Sequence, residues 1–465
     1  MSTQQHDQDA TVLSPEARGD ATIVAQGRGD ATVVAMPAPT AAGGDATVVG
    51  QALHTVDLAQ LKPEVSAHVM LHNPYAAAGL RTENYVLCEL SGAFQSQKLV
   101  RPPVHLSLVL DKSGSMEGKP LEYVKEACRL VIDRLGPADT LSIVTFAEAV
   151  DVLLAQSPVS KKETLKAQLD FIRPRGTTNL YSGMVTGANQ LGMVKAPTHL
   201  SRIILLTDGE ANEGVTEYSE IVAKARSIHR EAFTISTVGV GIEYNEELMR
   251  GIAKNALGNY YYVDAVSEIP RVFEQELATL FEVVAKNVRM SLRLPKGVRL
   301  EKFYGREPET ANGLATVQLP DIVAGDPQNL LLKLSLDSHP SARFRVLQTG
   351  LSFEYVGQTT RSELTFDAVV EFTTDRQRIL SSINPRVDAV MRVKDVVAEI
   401  SRAKQLMAQD AGTATVIIDR AKTVLMQAGR EADATLVANA ADLLASGEVE
   451  RAHKTLGATS WELEE

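Results

Sequence analysis

Cysteine, tryptophan and long apolar runs are all scarce in this sequence of 465 residues. Only Cys88 and Cys128 could form a disulfide, so a disulfide framework has little support and a reducing compartment is the simpler assumption. No apolar segment reaches the ~18 residues needed to span a bilayer, and the N-terminus lacks a basic region followed by an apolar run. We therefore expect a cytoplasmic protein with no membrane partner.

Positive charge is also in deficit, since 47 Lys and Arg stand against 58 Asp and Glu, giving a formal net charge of -11. This balance argues against a surface that neutralises nucleic-acid or lipid phosphates and favours cations or basic partners. Hydrophobic residues make up 44% and charged residues 23% of the chain, as in soluble globular proteins. The length predicts two to four folded units.

The first sixty residues are rich in Ala, Gly, Asp and Thr and nearly lack aromatic side chains. Such a segment cannot bury enough apolar surface to offset the entropy of ordering, so we predict a disordered tail over residues 1–60. A unit of Asp-Ala-Thr followed by two aliphatic residues recurs four times there, at irregular spacing. The candidate phosphorylation sites in these units are Thr11, Thr22, Thr32 and Thr47.

These four units resemble threonine motifs that bacterial Ser/Thr kinases phosphorylate and forkhead-associated domains then bind. A phosphothreonine adds about -1.5 to -2 charge and strong acceptors for an arginine-lined pocket. Several copies increase avidity through effective concentration. A Ser/Thr kinase and a forkhead-associated protein are thus expected partners. A duplicated low-complexity tail without a partner is the open alternative.

The rest of the chain changes pattern three times. Short apolar runs predict strands over 64–100, and strands alternating with amphipathic helices over 103–285 predict a doubly wound, mostly parallel α/β sheet of the Rossmann-like kind. Alternating strands over 286–378 predict a β-sandwich, which the strands of 64–100 are expected to join. The α/β domain is therefore inserted in, or followed by, the sandwich. Helical periodicity over 384–462 predicts C-terminal α-helices.

The candidate ligand-binding residues of the predicted α/β domain lie in loops that follow its strands, where ligands of open α/β sheets bind. The first loop carries Asp111, Ser113 and Ser115 after a buried strand. A second loop carries Thr177 and Thr178 before a helix, and Asp208 ends another strand. Oxygen donors from separate loops suit a hard cation such as Mg²⁺, Ca²⁺ or Mn²⁺. An isolated DKSGS segment, by contrast, is often only an Asx-type turn or a helix cap.

The segments DKSGS, GTTNL and LLTDGE resemble the three loops of the metal-ion-dependent adhesion site in von Willebrand factor type A domains. The resemblance covers roughly residues 103 to 285. It implies a metal site, with Mg²⁺ as the first candidate, and a partner protein that offers an Asp or Glu carboxylate to the metal. The implied metal ligands are Asp111, Ser113, Ser115, Thr178 and Asp208. Because the family often has a second glycine before its threonine, Thr177 is a competing ligand.

This resemblance predicts a signalling or assembly scaffold that binds partners and is not an enzyme. The alternative is an accessory subunit of an AAA-type ATPase or metal chelatase, or a metal-dependent hydrolase that uses Glu117, Glu210 or Glu213 as a general base. The chain has no Walker motif, so an ATPase would be a separate polypeptide. For Trp461, near the C-terminus, an anchoring contact and a docking peptide are equally open.

Overall fold

The computed structural model of the chain describes residues 25–28, 63–94, 101, 103–194, 197–311 and 313–464. These residues divide into two compact units. The described residues of the first unit fall within Met1–Val100, Val288–Tyr355 and Thr360–Val390. Those of the second fall within Arg101–Asn287, Val356–Thr359 and Met391–Glu465.

Strands and helices are numbered in chain order. The strands are β1 (Ala25–Arg28), β2 (Pro63–Leu71), β3 (Tyr75–Ala77), β4 (Thr82–Phe94), β5 (Val104–Asp111), β6 (Thr140–Phe146), β7 (Val150–Pro158), β8 (Leu200–Thr207), β9 (Thr234–Val240), β10 (Leu257–Val263), β11 (Val283–Arg293), β12 (Val298–Phe303), β13 (Glu309–Ala311), β14 (Leu314–Gln318), β15 (Ile322–Val323), β16 (Gln328–Leu336), β17 (Arg343–Tyr355) and β18 (Arg361–Thr373). The helices are α1 (Lys119–Arg134), α2 (Lys162–Leu169), α3 (Leu180–Gly192), α4 (Tyr218–Arg230), α5 (Glu246–Asn255), α6 (Ile269–Phe281), α7 (Arg376–Ser381), α8 (Pro385–Leu406), α9 (Ala411–Gln427), α10 (Glu431–Ala445) and α11 (Val449–Glu464).

The centre of the second unit is a six-stranded sheet in the order β10-β9-β8-β5-β6-β7. All neighbouring strands are parallel except β7, which runs antiparallel to β6 at one edge. Every residue of β5, β6 and β9 is buried, as expected for strands that are covered on both faces. The predicted mostly parallel α/β fold is confirmed. The antiparallel strand β7 was not predicted.

Helix α6 is fixed to the sheet of this unit by a buried ion pair. Glu276 on α6 is 1% exposed and Arg202 on β8 is 4% exposed. The guanidinium donates to the Glu276 carboxylate over 2.7 Å. The other carboxylate oxygen accepts hydrogen bonds from Asn259 and Tyr261. Because a buried charge is costly unless it is paired, these bonds specify where α6 lies on the sheet.

The first unit contains two sheets whose strands pair mostly antiparallel. One has the order β1-β18-β17-β11-β14-β13, with β15 on β11 and β3 parallel to β18, and the other has the order β12-β16-β4-β2. Burial alternates along β17 and β18, as expected for strands with one face in the core. Strands from before and after the α/β segment thus share these sheets. In the segment expected to be a tail, Ala25–Arg28 pairs antiparallel with β18, and the other residues of that segment lie outside the described residues.

Four helices complete the chain, as the sequence predicts, and from Met391 onward they belong to the same compact unit as the α/β sheet. Their shared core is aliphatic and includes Ile400, Ile418, Val437 and Leu456. No helix among the described residues is both long enough and apolar enough to cross a bilayer.

Candidate metal centre

The first loop of the candidate site begins at Asp111, the last residue of β5. Its carboxylate is fully buried. One oxygen accepts a hydrogen bond of 2.7 Å from the backbone N–H of Ser113, and the other accepts one of 2.5 Å from the hydroxyl of Thr207. The hydroxyls of Ser113 and Ser115 lie 3.0 Å apart in the turn that follows. The loop therefore brings one carboxylate and two hydroxyls to the carboxyl end of the sheet.

The third loop meets the first because β8 and β5 are neighbouring parallel strands, with Leu206 opposite Leu110. Asp208 follows β8, and its Oδ1 accepts a hydrogen bond of 2.7 Å from Ser115 Oγ. The strand order reverses direction around β5, with β6 on one side and β8 on the other. Such a switch point leaves a crevice between loops, where ligands of open α/β sheets bind.

Thr178 brings the second loop to the same place. Its side chain is buried, and a Cβ atom built on Gly209 would lie 3.6 Å from Thr178 Oγ1 and 3.9 Å from Ser115 Oγ. Thr177, by contrast, is exposed and donates to a carboxylate oxygen of Glu213 over 3.3 Å. Of the two threonines, Thr178 is therefore the one that lies with the other four predicted ligands.

Backbone hydrogen bonds fasten the second loop to its neighbours. The N–H of Gly114 donates to the carbonyl of Gly176, and the N–H of Arg175 donates to the carbonyl of Lys112. On the other side, Thr178 N–H donates to the side chain of Asn212 over 2.8 Å. Gly176 has a φ of +68°, a conformation that costs glycine little and other residues more. The three loops thus hold one another in place.

The pKa values of the two acids of the site are raised mainly by burial. Burial raises the pKa of Asp111 to about 6, hydrogen bonds from Thr207 and Ser113 oppose that rise, and the charge of Asp208 adds to it. Burial also raises the pKa of Asp208, the hydrogen bond from Ser115 opposes the rise, and the charge of Glu243 adds to it. Each shift shows that negative charge is held here at a cost, which a bound cation would offset.

The donor set fits a hard divalent cation, since it consists of two carboxylates and three hydroxyls from three loops. Within the described ranges, no group of three or more His, Cys, Asp or Glu side chains is placed to hold a metal ion. Zinc and copper, which favour imidazole and thiolate, therefore have no matching donor cluster in those ranges. A site of this composition depends on hydroxyl oxygens for most of its ligands.

Two residues that the sequence did not single out support the site. Thr207 donates to Asp111, and Asn212 accepts from Thr178. Both lie within four residues of Asp208. The polar residues around that aspartate were therefore the sequence feature that could have indicated these supporting roles. The acids Glu117, Glu210 and Glu213 are all exposed. The four candidate phosphorylation sites lie outside the described residues.

The structure also decides between the two interpretations of Trp461. Its side chain is 5% exposed and belongs to the apolar core beneath helices α3, α4 and α5 of the α/β domain. The indole makes an edge contact with Tyr260 on β10, with the ring centroids 5.9 Å apart. Trp461 is therefore an anchoring residue that attaches α11 to the α/β domain.

Comparison with known proteins identifies the family of the α/β segment. Residues 105–275 match the family model of the von Willebrand factor type A domain. Uncharacterized protein sll0103 of Synechocystis sp. is 27% identical over 335 residues, which cover 70% of this chain and 79% of that protein. YfbK of Escherichia coli is 30% identical over 250 residues, which cover 52% of this chain and 43% of YfbK. This chain therefore spans less than half the length of YfbK.

A solved structure, the von Willebrand factor type A protein from Catenulispora acidiphila, has the same fold. It superposes with a TM-score of 0.69 at 18% identity, over 82% of this chain and 91% of that one. At this identity the likeness shows the fold alone. The family match and the three loops fall in the same segment, and the fold of that segment is the one the family has. Residues 105–275 of this chain therefore form a von Willebrand factor type A domain.

Proposed function

We propose that this chain is a metal-dependent protein-interaction module that acts as a signalling or assembly scaffold and not as an enzyme. Von Willebrand factor type A domains are protein-interaction modules. The observation that carries the proposal is the convergence of five oxygen-bearing side chains from three loops, linked by the Ser115–Asp208 hydrogen bond of 2.7 Å. The expected cytoplasmic location is part of this proposal.

In the proposed site, Mg²⁺ is held by hydroxyl and carboxylate oxygens, with Ca²⁺ or Mn²⁺ as alternatives. When bound, the ion supplies an electrophilic position for a carboxylate oxygen of a partner protein. The chain's own residues orient the ligands: Thr207 fixes the Asp111 carboxylate, and Asn212 fixes the backbone of the second loop. The proposed ligands are Asp111, Ser113, Ser115, Thr178 and Asp208.

A partner pull-down with and without EDTA tests this proposal. The intact chain is compared with Asp111→Ala and Asp208→Ala, and bound proteins are identified by mass spectrometry. We expect a set of partners that is captured by the intact chain and lost both with EDTA and in each variant. Glu117→Ala is the matched control, because Glu117 is an exposed acid two residues beyond Ser115. Identical partners under all conditions would exclude a role for metal in recognition.

We further propose that the threonines of the N-terminal repeats are phosphorylated by a Ser/Thr kinase and then bound by a forkhead-associated domain. The support is the fourfold recurrence of the Asp-Ala-Thr unit, which places a threonine in the same local context each time. Phosphosite mapping from cells, followed by binding to a forkhead-associated protein with and without phosphatase, tests this. Complete absence of phosphate on all four sites would remove the proposal. The sites are Thr11, Thr22, Thr32 and Thr47.

A further inference from the structure

Helix α11 carries a buried lysine that contacts the α/β domain near its carboxyl edge. Lys454 is 5% exposed. Its ammonium donates a hydrogen bond of 2.6 Å to the backbone carbonyl of Tyr244 and lies 3.7 Å from the centre of the Tyr244 ring. A lysine is rarely buried to this degree unless its charge is satisfied, so this contact is specific and not incidental.

Tyr244 links this lysine to the candidate metal site by direct contacts. It lies in the loop between β9 and α5, and its ring covers Gly239 so closely that a Cβ atom there would be 2.2 Å from the ring. Gly239 on β9 is paired with Thr207 on β8. Thr207 in turn donates to the carboxylate of Asp111. Four successive contacts therefore join Lys454 to a proposed metal ligand.

A second route passes through the apolar core of the domain. Trp461 lies about two helical turns beyond Lys454 on α11. It belongs to the same core as Tyr244 and Tyr260. Ala211, which lies in the third metal loop, packs against that core. Asn212, the next residue, is the one that holds Thr178. The core that α11 enters through Trp461 is thus the same core against which the third loop packs.

We propose that α11 is a positioning element for the metal site, and that Lys454 maintains the ligand geometry by fixing the loop that carries Tyr244. The inference rests on the proposed function, because it concerns the affinity of the same site. The C-terminal helices then have a role in partner binding, because a change that displaces α11 lowers the metal affinity of the site that binds the partner.

The direction of the change in metal affinity distinguishes a positioning role of Lys454 from a direct effect of its charge. The positive charge of Lys454 interacts with Glu246 and Glu450, and more weakly with Glu210, which lies in the third loop. Removing a positive charge near a cation site should by itself strengthen cation binding. Loss of positioning should weaken it. The direction of the change therefore identifies the cause.

The experiment measures Mg²⁺ and Mn²⁺ binding to the full chain by titration calorimetry, without any partner. We expect Lys454→Met to weaken metal binding about five-fold, which is part of the effect of one lost hydrogen bond to a charged group, because Lys454 acts on the metal site only through the Tyr244 loop. Hydrogen exchange should also become faster in the loop around Tyr244. Lys454→Arg, which keeps the charge and a donor, should restore most of the affinity. Lys422→Met is the matched control, because Lys422 is exposed on α9 of the same helical bundle.

Unchanged or tighter metal binding by a folded Lys454→Met chain overturns the inference and leaves the proposed function intact. An intact chain that binds no divalent metal overturns both. Should Lys454→Met fail to fold, Arg451→Gln takes its place, because the Arg451 ion pair with Asp264 also attaches α11 to the end of β10 and is partly exposed. Arg451→Gln is then expected to weaken metal binding about two-fold, and no weakening overturns the inference.

Discussion

Ser115 donates a 2.7 Å hydrogen bond to Asp208, although 93 positions separate the two residues in the sequence. Both belong to the proposed ligand set, so Asp208→Asn alters one ligand and the acceptor of another. We predict at least about a ten-fold loss of Mg²⁺ affinity. Because a ligand that binds only the folded state stabilises it, Mg²⁺ should raise the Tm of the intact chain more than that of the variant at the same concentration. An equal Mg²⁺-dependent rise in both proteins would contradict the assignment.

The two adjacent threonines of the second loop should respond differently to loss of the hydroxyl. Thr178→Val removes a proposed ligand at a buried position and should abolish most Mg²⁺ binding, with little change in packing because valine has a similar shape. Thr177→Val should leave binding within about two-fold, since Thr177 is exposed and contacts Glu213. Calorimetric titration of both variants with Mg²⁺ measures the difference. Reversed effects would make Thr177 the ligand.

The buried ion pair on α6 should be important for stability. Glu276→Gln leaves the Arg202 charge buried without its counter-charge, and we expect the free energy of unfolding to fall by about 3 kcal/mol. Glu274 provides the control on the same helix, because its ion pair with Arg134 is exposed. Glu274→Gln should cost about 0.5 kcal/mol or less. Urea unfolding followed by circular dichroism measures both, and equal costs would show that burial of the pair contributes nothing.

Glu246 on α5 should make stability depend on acid pH. Burial raises the pKa of Glu246, but His453 and Lys404, on the C-terminal helices, lower it more, from an ordinary value of 4.5 to about 2. A depressed pKa means that the stabilisation is present above about pH 4.5 and is lost as the pH falls toward 2. We predict that Glu246→Gln costs about 2 kcal/mol near neutral pH and almost nothing near pH 2.

Glu247→Gln is the control for this prediction, because Glu247 is the exposed neighbour in the same first turn of α5. Its cost should be small at every pH. Urea unfolding of the intact chain and both variants across the acid range measures the dependence. A cost of Glu246→Gln that does not change with pH would contradict the ion-pair explanation.

Much of the candidate site could be predicted because its determinants are local. Each proposed ligand follows a strand or precedes a helix, and the loops around Asp111, Thr178 and Asp208 each have a recognisable spacing. The parts that could not be predicted depend on partners far away in the sequence. Thr207 lies in the LLTDGE segment but was not among the implied ligands, and Asn212 lies outside all three segments. Their roles come from the residues that the fold brings beside them.

The sequence by itself determined the type and order of most elements, strand β7 excepted, because strand and helix periodicities are visible within ten to twenty residues. It also predicted the chemistry of the proposed site, since the residue types are those that bind hard cations. Only the tertiary structure decided that Thr178 and not Thr177 lies beside the other proposed ligands, and that Trp461 is an anchor. Only the tertiary structure shows that Lys454 and Glu276 are buried. In the sequence of an amphipathic helix, a buried charged residue cannot be distinguished from a solvated one. The fold brings the partner beside it, which is the Tyr244 carbonyl for Lys454 and Arg202 for Glu276.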